Sequence, residues 1–328
     1  MLARNFRKCS ICDRKIANSP HFEVIVPLYK SESHIVELIK YINSLSNSVA
    51  GGVKSTFVID GRHSDFIALL SQIETLQTNY QIIKLSKNFG VGPALHSGLE
   101  NSVSCVSAAF GSDLQEPMNL FVEFFQKTIS LESDIAIGYR LQRKDPIISG
   151  LFSKIYWWVN KKWIHPESPK GGLDVFAMNK KVRKEFIKLR ELNTNFTSQL
   201  LWIGYRISWI GFERSKRLNG KSTWTFKKKI RLFSDSVYGY TSKPISIITW
   251  SGFLSSLFFL ILGAFTFFGK VSGAITVPGY AMTVLLISFG QSITILSLGI
   301  LGGYIYRTFE NGTGRPHYII DQIYSSSD

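Results

Sequence analysis

Residues 22–28 read Phe-Glu-Val-Ile-Val-Pro-Leu, a short apolar run interrupted by a proline, and this stretch decides the fold class. A run of that length, rich in valine and isoleucine, predicts a buried strand, and Pro27 puts its end at a loop. Outward from it, Ser33 to Leu45 has helical spacing, with Ile35, Leu38, Ile39 and Ile42 on one face. Residues 55–59 predict a second strand ending in an Asp60-Gly61 turn, and 66–76 a helix. A third strand follows at 81–85, a helix at 91–100 after Gly90, and further strands at 103–110 and 134–138. Strands alternating with helices predict an α/β fold with a mostly parallel sheet and helices on both faces. Such sheets bind ligands beyond the carboxyl ends of their strands, so the polar residues just after each strand are the first candidates.

Composition limits the rest. The 328 residues suffice for one sizeable α/β domain plus an appendage, or for two small domains. Hydrophobic residues at 45% and aromatics at 13% exclude a disordered chain. A net charge of +15 calls for an anionic partner: nucleic acid, an anionic membrane surface or a phosphorylated substrate. Three cysteines are too few for a secreted disulfide framework. Cys9 and Cys12 form a C-x-x-C without the second pair that a structural zinc site needs, so residues 1–20 read as a loose tail. That tail is basic but has no apolar core of a signal peptide, so the domain after it is expected to begin in the cytosol.

Two uncharged runs, 245–268 and 280–306, each exceed the ~20 residues that a helix needs to cross a bilayer. A short loop with Lys270 and Pro278 joins them, which predicts a transmembrane hairpin over 244–307. Lys227, Lys228, Lys229, Arg231 and Lys243 precede it, and Arg307 and Arg315 follow it, so both outer ends are expected on the cytoplasmic side. A cytosolic tail would fill 308–328. Two segments mix aromatics with lysines, 150–164 and the juxtamembrane stretch 226–243, and read as amphipathic helices lying among anionic lipid headgroups. Gln291 and several Ser and Thr residues in the spans favour self-association, hence a homo-oligomer. The hairpin argues against a nucleic-acid partner.

Gly111-Ser-Asp-Leu-Gln-Glu-Pro117 follows the fourth strand. Asp113 there could hold a divalent metal on a diphosphate, with Gln115 assisting through its amide oxygen, or could cap the helix after Pro117. Hard oxygen ligands suit Mg²⁺ or Mn²⁺. Asp60, after the second strand, could accept hydrogen bonds from a base or ribose, or simply make an Asp-Gly turn. Asp174, in Lys170-Gly-Gly-Leu-Asp174, could orient an acceptor or be a plain loop residue. Arg214, Arg217, Lys221 and Lys227 surround Gly220 in a basic loop suited to phosphate.

Taken in order, these motifs resemble the polyprenyl-phosphate glycosyltransferases of glycosyltransferase family 2, the group of the bactoprenol glucosyltransferases and dolichol-phosphate mannose synthase. The resemblance rests on Val-Pro-Leu-Tyr at 26–29, Leu-Ser-Lys-Asn-Phe-Gly at 85–90, Ser-Asp-Leu-Gln-Glu-Pro at 112–117 and Gly-Tyr-Arg at 138–140. It continues through Asp174, Arg217-Leu-Asn-Gly-Lys-Ser222 and the hairpin with its terminal Arg-Pro-His-Tyr-Ile. It implies a GT-A, Rossmann-like cytosolic domain over 21–225. Within it a nucleotide sugar, UDP- or GDP-linked, would sit at Pro27, Tyr29, Glu32, Asp60 and Asn88. Metal would sit at Asp113 and Gln115, and phosphates at Arg140, Arg214, Arg217, Lys221 and Ser222. Asp113 and Asp174 would be the catalytic residues. The acceptor would be undecaprenyl phosphate, used at the cytoplasmic face of a bacterial inner membrane in building surface polysaccharide, by one inverting displacement. The sequence departs from the family where Ile59 and Gly111 replace acidic residues and Lys30 and Ser31 replace Asn and Glu. Those losses motivate a second expectation, a degenerate transferase kept as a membrane-bound nucleotide-sugar-binding or assembly subunit. Lys30 would offset the weaker metal site by direct charge contact with the nucleotide.

Overall fold

The computed structural model describes residues 21–49, 51–141, 161–162, 173–191, 196–215, 235, 237–241, 243–273 and 279–326. Among them, β1 (Phe22–Leu28), β2 (Val53–Ile59), β3 (Tyr80–Leu85) and β4 (Val106–Ala109) join β5 (Ile135–Arg140), β6 (Leu173–Asn179), β7 (Ile207–Phe212) and β8 (Ile320–Ser325). They make one sheet in the order β7-β5-β6-β4-β1-β2-β3-β8. β1 pairs in parallel with β2 and β4, β2 with β3, and β5 with β7, whereas β6 and β8 run antiparallel to their neighbours. The sheet is therefore mixed but mostly parallel, with the Rossmann-like βαβ order expected.

Alternation along β1 explains the two layers. Val24, Val26 and Leu28 face one side, where α1 (Ile35–Ser48), α2 (His63–Leu70) and α4 (Met118–Ile129) pack. Ile25 faces the other, with α3 (Val91–Glu100), α5 (Lys180–Phe186) and α6 (Phe196–Trp202). The spacing of Leu38, Ile39, Ile42 and Leu45 holds α1 on the sheet, and all four side chains are buried. Each such burial is worth roughly 1.5–3 kcal/mol. On the opposite face Gly98 lets α3 approach closely: a Cβ there would stand 2.4 Å from Ile25 Cγ2.

A buried polar network closes the far end of the sheet. Thr56 Oγ1 and Ser102 Oγ donate to Glu23, and Arg183 Nη1 donates to Ser102 Oγ, the Ser104 carbonyl and Ser107 Oγ. That demand draws residues 102–104 out of the strand expected at 103–110, which shortens to Val106–Ala109 and leaves Val103 exposed. The helix expected at 66–76 starts earlier, at His63, and ends at Leu70, where the Ser71 hydroxyl turns back to the Ala68 carbonyl.

The larger departures lie C-terminal. Asp174, which could orient an acceptor or be a plain loop residue, is the second residue of β6. Residues 308–328, expected as a free cytosolic tail, supply β8, which pairs with β3 and adds a Lys84–Asp321 ion pair at 2.6 Å. α7 (Lys243–Val271) and α8 (Tyr280–Gly312) cover the two uncharged runs and touch one another. Two spans were expected, at 245–268 and 280–306; among the described residues one helical segment, Phe289–Gly312, is long and apolar enough to cross a membrane. Arg307 Nη2 lies 2.7 Å from Asp235 Oδ1, and Tyr304 meets Tyr238 edge-on, so the stretch before α7 is tied to the end of α8. Residues 1–20 with Cys9 and Cys12, the segment 150–164 apart from Lys161 and Lys162, and most of 226–236 lie outside the described residues.

Candidate functional site

β1 is flanked by β2 on one side and β4 on the other, so the connections leave it in opposite directions. This is the switch point of the sheet, where a crevice opens beyond the strand ends. Pro27 helps to open it. The Ile25 carbonyl accepts from Phe110 N on the β4 side, and Pro27, two residues on, faces the same neighbour with no N–H to offer. Pairing with β4 stops at Ile25↔Ala109, while pairing with β2 runs on to Leu28↔Ile59. Across the crevice, Ser31 Oγ and Ser112 Oγ lie 3.0 Å apart and join the loops after β1 and β4.

Two buried aspartates set the shape of this rim. Asp60 accepts from Phe89 N at 2.7 Å and Gly90 N at 3.0 Å, so it fixes the loop that carries exposed Asn88. The loops are in close contact: a Cβ at Gly61, whose φ is +75°, would stand 2.2 Å from the Lys87 carbonyl carbon. Asp65 accepts from Lys30 N at 2.9 Å and Ser31 N at 2.7 Å. It thereby holds Lys30 at φ +59°, a left-handed conformation that costs a β-carbon residue energy. Burial pushes both carboxyls above their ordinary range, partly offset by the backbone N–H groups they accept from.

Glu32 lies just beyond. Ser64 Oγ and Arg62 Nη2 donate to its Oε1, at 2.6 and 2.7 Å. The Ser64 hydrogen bond above all, with Arg62, holds its carboxyl down at about 2. Tyr29 is exposed, with Lys30 Nζ 5.7 Å and the Arg62 guanidinium 5.9 Å from its ring. Tyr29 thus presents an exposed ring with two cations over it, a setting suited to an aromatic base with a phosphate nearby.

The loop after β4 carries the charge. Asp113 Oδ2 lies 3.3 Å from Arg214 Nη2, and Glu116 Oε1 lies 3.8 Å from Arg214 Nε. The Gln115 amide nitrogen donates to the Ser215 carbonyl at 2.9 Å, and Ser215 N donates to the Gln115 carbonyl. That bond leaves the amide oxygen as the Gln115 atom that a cation would take. Leu114 between them sits at φ +54°, a second strained residue of the rim. Among the described residues no group of three or more His, Cys, Asp or Glu side chains comes together. The donor set on offer is the Asp113 and Glu116 carboxylates, which come within 3.0 and 3.1 Å of a Cβ placed on Gly111, with Gln115 on the same loop. These are hard oxygens of the kind that Mg²⁺ and Mn²⁺ take, so the residues fit such a cation. Beside Pro117 opens a cavity of about 290 Å³ lined in part by Leu120, Glu123, Leu141 and Glu213.

The structure brings Pro27, Tyr29, Glu32, Asp60, Asn88, Asp113, Gln115 and Arg214 to one edge of the sheet. Arg140 ends β5 at that edge. Asp174 reaches it too, because β6 runs antiparallel and its first residues lie beside Tyr139; the Asp174 side chain is outside the described residues. Arg217, Lys221, Ser222 and Lys227 also lie outside them. Arg62, Asp65, Ser112 and Glu116 were not among the sequence candidates. The Asp-Gly turn after β2 gave a local signal for Arg62 and Asp65; the contact of Glu116 with Arg214 spans nearly a hundred residues and gave none.

No protein-family model matches the chain. Similarity to known proteins nevertheless runs nearly end to end. The chain is 24% identical over 303 residues to the uncharacterized glycosyltransferase sll0501 of Synechocystis sp., covering 92% of this chain and 95% of that protein. It is 22% identical over 307 residues to the prophage bactoprenol glucosyl transferase homolog of Escherichia coli K12, covering 92% and 98%. To the bactoprenol glucosyl transferase of Shigella phage SfX it is 23% identical over 305 residues, covering 90% and 97%. Among solved structures, glucosyl-3-phosphoglycerate synthase of Mycobacterium tuberculosis with Mn²⁺ and UDP-glucose superposes with a TM-score of 0.43 and 14% identity, covering 62% of this chain and 74% of that one.

Proposed function

We propose that this glycosyltransferase moves a sugar from a UDP- or GDP-linked donor to undecaprenyl phosphate at the cytoplasmic face of a bacterial inner membrane, for surface polysaccharide or O-antigen modification. The observation that carries the proposal is the full-length similarity to bactoprenol glucosyl transferases, joined to a switch-point crevice whose rim holds Tyr29, Asp113 and Arg214. Tyr29 and the loops set by Asp60 and Asp65 would take the nucleotide. Arg214, with Arg140, would bind the diphosphate, since a planar guanidinium pairs two phosphate oxygens at once. A divalent cation at Asp113 and Gln115 would supply further neutralisation of the leaving diphosphate. The acceptor phosphate is ionised near neutral pH, so the protein's part is to hold it in line with the anomeric carbon, and Asp174 would serve in that. The basic stretch before α7 and the apolar α7 and α8 would anchor the chain as a hairpin and bring the lipid tail to the crevice.

Membranes containing the protein should move label from a UDP- or GDP-sugar into an organic-extractable lipid when undecaprenyl phosphate is supplied, and Asp113→Ala should abolish that transfer. The reading fails if no donor labels lipid and Asp113→Ala behaves as wild type. A second reading, a nucleotide-sugar-binding subunit without turnover, is favoured by Ile59 and Gly111 standing where acidic residues are expected. Calorimetric binding of UDP-sugar with no lipid product in the same preparation would select it.

A further inference from the structure

Gly111 stands where the sequence resemblance expects the first of two carboxylates. A Cβ built on it would lie 3.0 Å from Asp113 Oδ1 and 3.1 Å from Glu116 Oε2. Both carboxylates thus lean into the volume that a side chain at 111 would fill. Glu116 is only 3% exposed, although it belongs to a loop. Two features hold it there: the left-handed Leu114 turns the chain back between the two acids, and the Tyr41 hydroxyl donates to the Glu116 carbonyl at 3.1 Å. Arg214 spans the pair, with Nη2 toward Asp113 and Nε toward Glu116. A buried carboxylate is costly unless paired, and Arg214 is the positive charge that the two acids share.

We propose that Glu116 is a positioning residue that takes over the negative charge missing at Gly111, and that Arg214 and a divalent cation compete for the charge pair it makes with Asp113. This rests on the donor-site reading above and gives that site its second carboxylate. It also gives the glycine a reason: any side chain at 111 would take the space into which Glu116 turns. The two partners of the pair should then act with opposite sign. Removing the Glu116 charge weakens cation binding, because one of two negative charges is lost. Removing the Arg214 charge strengthens it, because the resident competitor is gone.

The test is titration of the full-length protein in detergent with Mn²⁺, with and without UDP, read by electron paramagnetic resonance of free Mn²⁺, with no acceptor lipid and no turnover. Glu116→Gln, nearly isosteric, should weaken Mn²⁺ binding on the order of 10-fold or more. Arg214→Gln should tighten Mn²⁺ several-fold in the absence of UDP. Gly111→Asp alone should lower affinity or stability by crowding, while Gly111→Asp with Glu116→Gln should bind Mn²⁺ more tightly than Glu116→Gln. Thermal melting of each variant separates loss of fold from loss of charge. The proposal is overturned if folded Glu116→Gln binds Mn²⁺ as wild type does, if Arg214→Gln weakens it, or if wild type binds no Mn²⁺ even with UDP. Since no lipid product is measured, failure of the lipid-transfer reading leaves this result standing, and the reverse also holds.

Discussion

Asp65 offers the sharpest test of how the rim is built. It is wholly buried and accepts two hydrogen bonds, from Lys30 N at 2.9 Å and Ser31 N at 2.7 Å. Hydrogen bonds to a charged group contribute roughly 1.5–3 kcal/mol each, so the pair is worth about 3–6 kcal/mol. Two effects reduce what Asp65→Ala would cost. The freed N–H groups sit in a loop whose neighbours Tyr29 and Lys30 are exposed, so water can reach them. The variant also releases Lys30 from φ +59°, which returns about 1–2 kcal/mol. The net loss should be about 2–3 kcal/mol, with Asp65→Asn losing about half of that because one acceptor remains. At roughly 2–4 °C per kcal/mol for a domain of this size, Asp65→Ala should melt about 4–12 °C lower. Lys30→Gly supplies the internal control. Glycine accepts the left-handed region freely, so it should stabilise wild type by roughly 0.5–1 kcal/mol. In the Asp65→Ala background that gain should vanish, since nothing then holds residue 30 there. Differential scanning calorimetry of the four chains in one detergent decides the matter. If Lys30→Gly stabilises both backgrounds equally, or if Asp65→Ala melts with wild type, the account of Asp65 as the clamp on this loop is wrong.

Three further outcomes follow from contacts elsewhere. His96 packs among the rings of Phe186, His317 and Tyr318, near Glu100 and Arg190, and burial above all holds its imidazole down at about 4. The unfolded chain then binds the extra proton between about pH 6.5 and 4, so stability should fall by about 3 kcal/mol as pH drops through that window. Urea midpoints measured across it should flatten in His96→Gln. Gly98→Ala places a methyl 2.4 Å from Ile25 Cγ2 and should cost about 1–3 kcal/mol by chemical denaturation, with a less-than-additive cycle against Ile25→Ala. Deleting residues 320–328 removes β8 and strips the Lys84–Asp321 pair, so amide exchange along Tyr80–Leu85 should rise sharply while β1 stays protected.

What the sequence made legible was local. The apolar run of β1 came out at its observed bounds, and the periodic face of α1 is the face that is buried, because hydrophobic spacing reports on burial directly. β8 was missed because it is an edge strand, with most of its side chains exposed, and its partner is β3, far back in the chain. β6 was missed because Gly171 and Gly172 read as a loop, whereas strand pairing with β4 and β5 overrides them from Leu173 onward. The same division runs through the site. Asp60 and Asp113 announced themselves by following strands, but what each does depends on backbone N–H groups or a guanidinium supplied by another loop.

The two departures that read as losses are the instructive ones. Ser31, standing where an acidic residue was expected, meets Ser112 across the switch point at 3.0 Å. Gly111, standing where another was expected, leaves the space into which Glu116 turns. At Gly111 a missing charge is matched by a close approach of Asp113 and Glu116 that a side chain there would crowd. The count of carboxylates in a linear motif is therefore a poor measure of the charge at the site. Three-dimensional convergence onto Arg214 gives Asp113 a carboxylate neighbour that the spacing of the motif did not foretell.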